Sequence, residues 1–159
     1  MTPAECRSAL GHVLDQSIAR AKELKEILDT ERAALVAADA DDLSGTAVAK
    51  RDCVIAIEEL ERRREDIVSR AGFDPGADDM PALISWCGST ELSSAWHRYL
   101  DVAKDCSEMN ASNGAIINMR RSQIQSTLSL MRNGHAEGDV YGPDGGGSDS
   151  LGSRSLTEA

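Results

Sequence analysis

Apolar residues recur along the first 38 residues at intervals of three, four and seven, a spacing that places them on one face of an α-helix. Ser17 and Glu31 interrupt this face with polar groups. The pattern therefore predicts a long helix over about residues 4–38, packed as in a helical bundle rather than in an ideal zipper. The residues that form the face are Leu10, Leu14, Ala21, Leu24, Leu28 and Leu35.

A second apolar face, interrupted by Arg64, predicts another long helix over about residues 41–71. Asp39 is a natural N-cap for this helix, and Gly72 is a typical residue for ending it. Because the connection between the two helices is short, they should form an antiparallel hairpin. The face consists of Cys53, Ile57, Leu60, Ile67 and Ala71.

The remaining helical pattern predicts a short helix over residues 81–87 and a long one over about residues 90–132. Pro81 suits the first turn of the short helix, whose apolar residues should cap one end of the bundle. The face of the long helix turns polar at its middle. Its members are Leu92, Trp96, Tyr99, Ala103, Cys106, Asn110, Asn113, Ile117, Ile124, Leu128 and Met131.

Residues 133–159 are rich in glycine and acidic residues, and Arg154 is the one basic residue among them. Such a segment cannot bury enough apolar area to offset its ordering entropy of roughly 1–2 kcal/mol per residue. The predicted fold is therefore all-α: an antiparallel long-helix hairpin and a third long helix form a bundle domain over residues 1–132, followed by a disordered, flexible tail.

Composition narrows the function classes. The formal net charge is −10, which disfavours binding to nucleic acid. The N-terminus has no secretory signal pattern, and no apolar run approaches the roughly 18 residues of a membrane span. The widely spaced Cys6, Cys53, Cys87 and Cys106 are best interpreted as small apolar core residues in a reducing cytosol, with a zinc site or a disulfide framework as the alternative.

Candidate catalytic and metal sites fail on spacing. His12, His97 and His135 are isolated from the partners that a metal site requires, and a solvated or locally hydrogen-bonded role suits them better. The chain contains no metalloprotease, nucleotide-binding or nucleophile-elbow motif. We therefore expect no enzymatic activity, no metal and no cofactor.

Two features remain. Asn113 and Gly114 lie inside a predicted helix, where glycine costs about 1 kcal/mol relative to alanine. One interpretation is structural: Asn113 fixes the register of the helices, and Gly114 allows close helix approach or a bend. The alternative is that the two residues belong to a binding surface. The tail carries Val140, Tyr141, Leu151 and Leu156, which suit a segment that folds on binding, although a passive solubilising tail is equally compatible.

The mid-helix pattern N-G-x-x-I-N (Asn113, Gly114, Ile117, Asn118) precedes Leu128-x-x-Met131, then Y-G-x-x-G beginning at Tyr141-Gly142, and a late Arg154. In these motifs, and in its helical hairpin with a long third helix and a tail, the chain resembles the FlgN-like flagellar export chaperones over essentially its whole length.

The resemblance implies a bacterial cytoplasmic protein that holds hook-associated proteins unassembled before export. It implies that their C-terminal helical segments bind in the C-terminal region of this chain, and that the chain docks at the export gate. The alternative is a coiled-coil structural or adaptor protein with a passive tail. The residues assigned to partner binding are Asn113, Gly114, Ile117, Asn118, Ile124, Leu128, Met131, Val140, Tyr141, Gly142, Leu151, Arg154 and Leu156.

Overall fold

The computed structural model describes residues 1–75 and 79–136, with side chains described through Arg132. Within those residues the chain forms four α-helices and no strand, which confirms the all-α prediction. The helices are α1 (Pro3–Ala37), α2 (Ala40–Ala71), α3 (Met80–Cys87) and α4 (Thr90–Ala136). The predicted helix bounds agree closely except at the end of α4, which continues to Ala136 rather than stopping near Arg132.

Local sequence accounts for the helix ends. Thr2 caps α1 through a capping box with Glu5, in which each side chain accepts a hydrogen bond from the other residue's backbone N–H. The Asp39 side chain caps α2 by accepting from the N–H groups of Asp41 and Asp42, both at 3.0 Å. Gly72 ends α2 with a φ of 90°, a left-handed conformation that glycine adopts without steric cost.

The first two helices form the predicted antiparallel hairpin. The Lys50 Nζ on α2 is 2.6 Å from the Glu31 Oε1 on α1, whereas the Sγ of Cys53 on α2 donates at 3.4 Å to the backbone oxygen of Arg20. Residue numbers therefore rise along α2 as they fall along α1, because the connection between the helices leaves room for no other arrangement.

The body of α4 runs parallel to α1. The Cys106 Sγ on α4 donates to the Ala21 backbone oxygen at 3.2 Å, and Arg120 donates to the Val36 backbone oxygen at 3.2 Å. The residue numbers of the contacting pairs therefore increase together along the two helices. The antiparallel α2 and the parallel α4 flank α1, which explains why α1 has an apolar face wide enough to contact both.

The largest core cluster lies at the end of the body that holds the N-terminus of α1. Helix α3 contributes four buried residues to this cluster, which confirms that it caps one end of the bundle. Aromatic side chains lie around the same end, with ring centroids 5.8 Å apart for Phe73 and Trp86. The buried residues of α3 are Met80, Leu83, Ile84 and Cys87.

The polar interruption at Arg64 on α2 has a structural role. Its guanidinium donates to Glu61 at 2.6 Å and lies over the Trp96 ring, with 5.5 Å between the Cζ and the ring centroid. Glu61 also accepts from the Tyr99 hydroxyl at 2.7 Å, so the group links α2 to α4. Burial and this hydrogen bond raise the pKa of Tyr99, which keeps the phenol protonated as a donor.

The cysteines serve as core residues, as predicted. All four are free and buried. Burial raises the pKa of the Cys6 thiol to about 12, and burial likewise raises the pKa of Cys53 and Cys106. Because the thiolate is the reactive form, these thiols should be poor nucleophiles.

The chain divides into two units, Met1–Arg120 and Arg121–Ala159. The first contains the helical body described above, and the described part of the second is the C-terminal portion of α4. The predicted tail covers residues 133–159. Its first four residues, 133–136, belong to α4, and residues 137–159 lie outside the described residues. Across residues 1–75 and 79–136, none of the helices combines the length and apolar character needed to cross a membrane.

Candidate partner-binding surface

In its first half, α4 buries most of the predicted apolar face. Leu92, Tyr99 and Cys106 are buried, whereas Trp96 and Ala103 are half-buried. The side chain of Leu92 lies 3.6 Å from where a Cβ would stand on Gly11 of α1. The apolar faces of α4 and α1, each with heptad-like spacing, thus pack against each other in one seam. This part of the face mainly packs within the fold.

A buried polar layer follows along the same seam. Asn113 is 1% exposed, and its amide nitrogen donates to the Leu28 backbone oxygen and to Glu31 Oε2, both at 2.9 Å. Its amide oxygen accepts from the Arg32 Nε at 3.2 Å. Glu31 also holds the Lys50 ammonium, which brings α2 into the layer. All three long helices are therefore tied at one level by hydrogen bonds that fix their register.

The structure thus gives Asn113 the register role that its sequence position allowed. Its side chain is enclosed and each polar atom has a partner. A direct contact between Asn113 and another protein, as the assignment to the binding set implies, stays a prediction.

Close helix approach is the wrong explanation for Gly114. A Cβ built at this position would meet no atom within 4 Å outside the local helix backbone. The residue is half-buried, and its helix is continuous through it. The adjacent Asn113, rather than a tight backbone contact at the glycine, is what joins the helices here.

Beyond the polar layer the face becomes exposed. Ile117 is exposed on the first unit, as is Asn118 beside it. Arg120 makes the last described hydrogen bond from α4 to α1, at Val36, and α1 itself ends at Ala37.

In the second unit every residue from Arg121 to Arg132 is exposed. Ile124, Leu128 and Met131 are 61%, 52% and 65% exposed. Spacings of four and three residues place them on one side of the helix, which is how an α-helix presents a continuous apolar strip. We call these three residues the C-terminal stripe. Leu130 is also exposed. At helical spacing it is rotated about the helix axis by at least about a quarter of a turn from each of the three residues.

The structure therefore brings together part of the predicted binding set. Ile124, Leu128 and Met131 share one face of a helix and are accessible. The predicted residues of the tail lie outside the described residues, namely Val140, Tyr141, Gly142, Leu151, Arg154 and Leu156.

The body contains a cleft that has no counterpart among the predictions from the sequence. A cavity of about 350 Å³ opens between α1, α2 and α4, with Leu24 and Leu28 on α1 and Val54 and Ile57 on α2 among its walls. Ala103 lines it from α4. Small residues on an apolar seam leave space between helices, so the alanines on the predicted faces were the available signal.

Two titratable groups of the body illustrate structural contacts. Lys25 on α1 donates to Asp105 on α4 at 2.5 Å, and this hydrogen bond raises the pKa of the lysine. The Nδ1 of His97 lies 2.7 Å from the Ser93 backbone oxygen, consistent with the predicted local role for the histidine. The part of the chain that the structure describes holds no group of three metal-binding side chains. The accessible chemistry is that of an apolar helical surface.

Comparison with known families identifies one match. The family model described as FlgN protein matches residues 7–148, which includes the body, the C-terminal stripe and part of the tail. No curated protein and no solved structure matches the chain.

Proposed function

This chain belongs to the FlgN protein family and is a flagellar export chaperone, and we propose that its clients are the hook-associated proteins. The chain binds their C-terminal helical segments in the bacterial cytoplasm, keeps them from assembling prematurely, and delivers them to the export gate. Proteins of this family are chaperones rather than enzymes.

The observation that carries the proposal is the C-terminal stripe. Ile124, Leu128 and Met131 lie at the i, i+4, i+7 spacing by which an amphipathic helix engages another helix or a groove. Covering such side chains removes apolar area from water at roughly 25 cal/mol per Å². A client helix whose own apolar face would otherwise aggregate is a suitable partner for this surface, because both faces are then withdrawn from water.

Binding to a client fragment tests the proposal directly. The full chain is mixed with a C-terminal helical fragment of a hook-associated protein from the same genome and followed by gel filtration and calorimetry. We expect a stable complex. Absence of a complex would contradict the proposed clients and favour a coiled-coil structural or adaptor protein.

Substitution of the stripe locates the contact. Replacing Ile124, Leu128 and Met131 together by glutamine should weaken binding by roughly 100-fold, which corresponds to about 2.7 kcal/mol. The matched control replaces Met119 and Leu130, two exposed apolar residues outside the stripe, by glutamine and should leave the affinity nearly unchanged. Since all five positions are exposed, each variant should retain the helical circular dichroism of the parent.

We propose in addition that Tyr141 and its apolar neighbours in the tail contact the client or the export gate. Tyr141→Ala should then weaken one of these two interactions by about 2 kcal/mol, because tyrosine is enriched among interface residues that dominate binding. Titration against a client fragment and against an export-gate fragment measures both. Unchanged affinity for both, in this variant and after removal of residues 137–159, would show that the tail is passive.

A further inference from the structure

The charges on α4 change character along its length. The whole chain has a formal net charge of −10, yet between Glu108 and Glu137 it contains no acidic residue. The same interval contains Arg120, Arg121 and Arg132. The C-terminal stripe thus lies in a locally basic segment of an acidic protein.

Helical spacing places two of these arginines beside the stripe. Arg121 precedes Ile124 by three residues and Leu128 by seven, and Arg132 follows Leu128 by four, so both flank the same face. Both side chains are exposed. Arg120 belongs to the first unit, where it donates a hydrogen bond to the Val36 backbone oxygen. We therefore do not count it among the arginines beside the C-terminal stripe.

Three exposed arginines of the body contrast with these two. Arg62, Arg63 and Arg70 on α2 each lie within 4.0 Å of a carboxylate one turn earlier. Among the described residues, Arg121 and Arg132 have no ion-pair or hydrogen-bond partner. Their guanidinium groups are therefore available to carboxylates from outside the described chain, with which arginine forms bidentate contacts.

We propose that the stripe selects acidic amphipathic helices, with Arg121 and Arg132 pairing to carboxylates that flank the client's apolar face. This inference rests on the proposed function, since it specifies the chemistry of the client at that same surface. The apolar residues supply most of the affinity, whereas the arginines discriminate among helices that present similar apolar faces.

Charge also argues against a second copy of this chain as the occupant. In an antiparallel pair of copies that sets Ile124 opposite Leu128, Arg121 of one copy lies beside Arg132 of the other. Like charges in such positions are destabilising.

Two designed helical peptides test the selectivity. Both carry the same leucine face at i, i+4, i+7 spacing, and its flanking positions are glutamate in one peptide and lysine in the other. We expect the full chain to bind the glutamate peptide about tenfold more tightly in fluorescence anisotropy at low salt, with the difference shrinking at high salt. Equal affinities, preference for the lysine peptide, or binding of neither would overturn the inference.

Variants assign the preference to the two arginines. Arg121→Gln with Arg132→Gln should abolish the preference, whereas Arg62→Gln with Arg63→Gln makes the same change in net charge on α2 and should preserve it. A preference that survives the first pair overturns the inference. Tighter binding to phosphatidylserine vesicles than to the glutamate peptide, a dimer dissociated by Leu128→Gln, or peptide binding that requires removal of residues 137–159 would each assign the surface to another occupant and also overturn it.

The hook-associated fragment separates this inference from the proposed function. If the fragment binds the parent and the Arg121→Gln, Arg132→Gln chain equally, the function stands and the charge selectivity is wrong. If the fragment fails to bind while the glutamate peptide shows an arginine-dependent preference, the selectivity stands and the proposed clients are wrong.

Discussion

Leu92 in the first unit and Leu128 in the second both belong to the predicted apolar face of α4, and they are 3% and 52% exposed. Around Leu92 the apolar face of α4 is covered by α1, whereas the face around Leu128 is open to solvent. The last described hydrogen bond between α4 and α1 joins Arg120 to Val36, one residue before α1 ends. A single amphipathic pattern along one helix thus provides core residues in the first unit and exposed apolar residues in the second.

The two regions also differ in how they treat polar groups. At Asn113 the face is crossed by a buried layer in which amide, carboxylate and ammonium groups satisfy one another. From Arg121 to Arg132 the polar side chains are exposed, and the helix sequence up to Ala136 contains no carboxylate. The buried region thus specifies its own internal register, while the exposed region is suited to an external partner.

The largest expected difference between the two regions is in stability. Leu92→Ala removes a buried side chain and should lower the free energy of unfolding by about 2–4 kcal/mol. Leu128→Ala, the same substitution on the exposed part of the same face, should change it by less than about 0.5 kcal/mol. Urea denaturation of both variants measures the contrast. A similar loss in both would mean that the C-terminal stripe is buried in solution.

A smaller contrast is expected between two asparagines. Asn113→Ala leaves Glu31 and the Leu28 carbonyl without a buried donor and should cost roughly 1–3 kcal/mol of stability. Asn118→Ala, five residues later on an exposed position, should be nearly neutral. Thermal and chemical denaturation compare the pair. Equal effects would remove the register role of Asn113.

The smallest effect is expected at Gly114, and its sign is informative. Because a Cβ there meets no neighbour within 4 Å, Gly114→Ala should stabilise the chain by about 0.5–1 kcal/mol through its higher helix propensity. The melting temperature of the full chain measures this. A lower melting temperature would restore the close helix approach that the sequence first suggested at this position.

The candidate surface could be predicted from the sequence in part. Ile124, Leu128 and Met131 follow from helical spacing, and the family match agrees with the motifs that include Asn113 and Gly114. The opposite environments of Leu92 and Leu128 could not be predicted, because periodicity identifies a face that can be buried without identifying what buries it. The prediction of close helix approach at Gly114 was wrong for the same reason, because the sequence does not show whether another helix lies near a glycine.

By itself, the sequence determined the helices and most of their ends, through apolar spacing, the Thr2 and Asp39 caps and the glycines that end α2 and α3. These are local effects that act within a few residues. Tertiary structure alone decided that Asn113 and Glu31 meet, and that Leu92, Tyr99 and Cys106 on the face of α4 are buried whereas Ile117 is exposed. Both depend on the length and relative placement of α1 and α4, because burial is a property of contacts between segments distant in the chain.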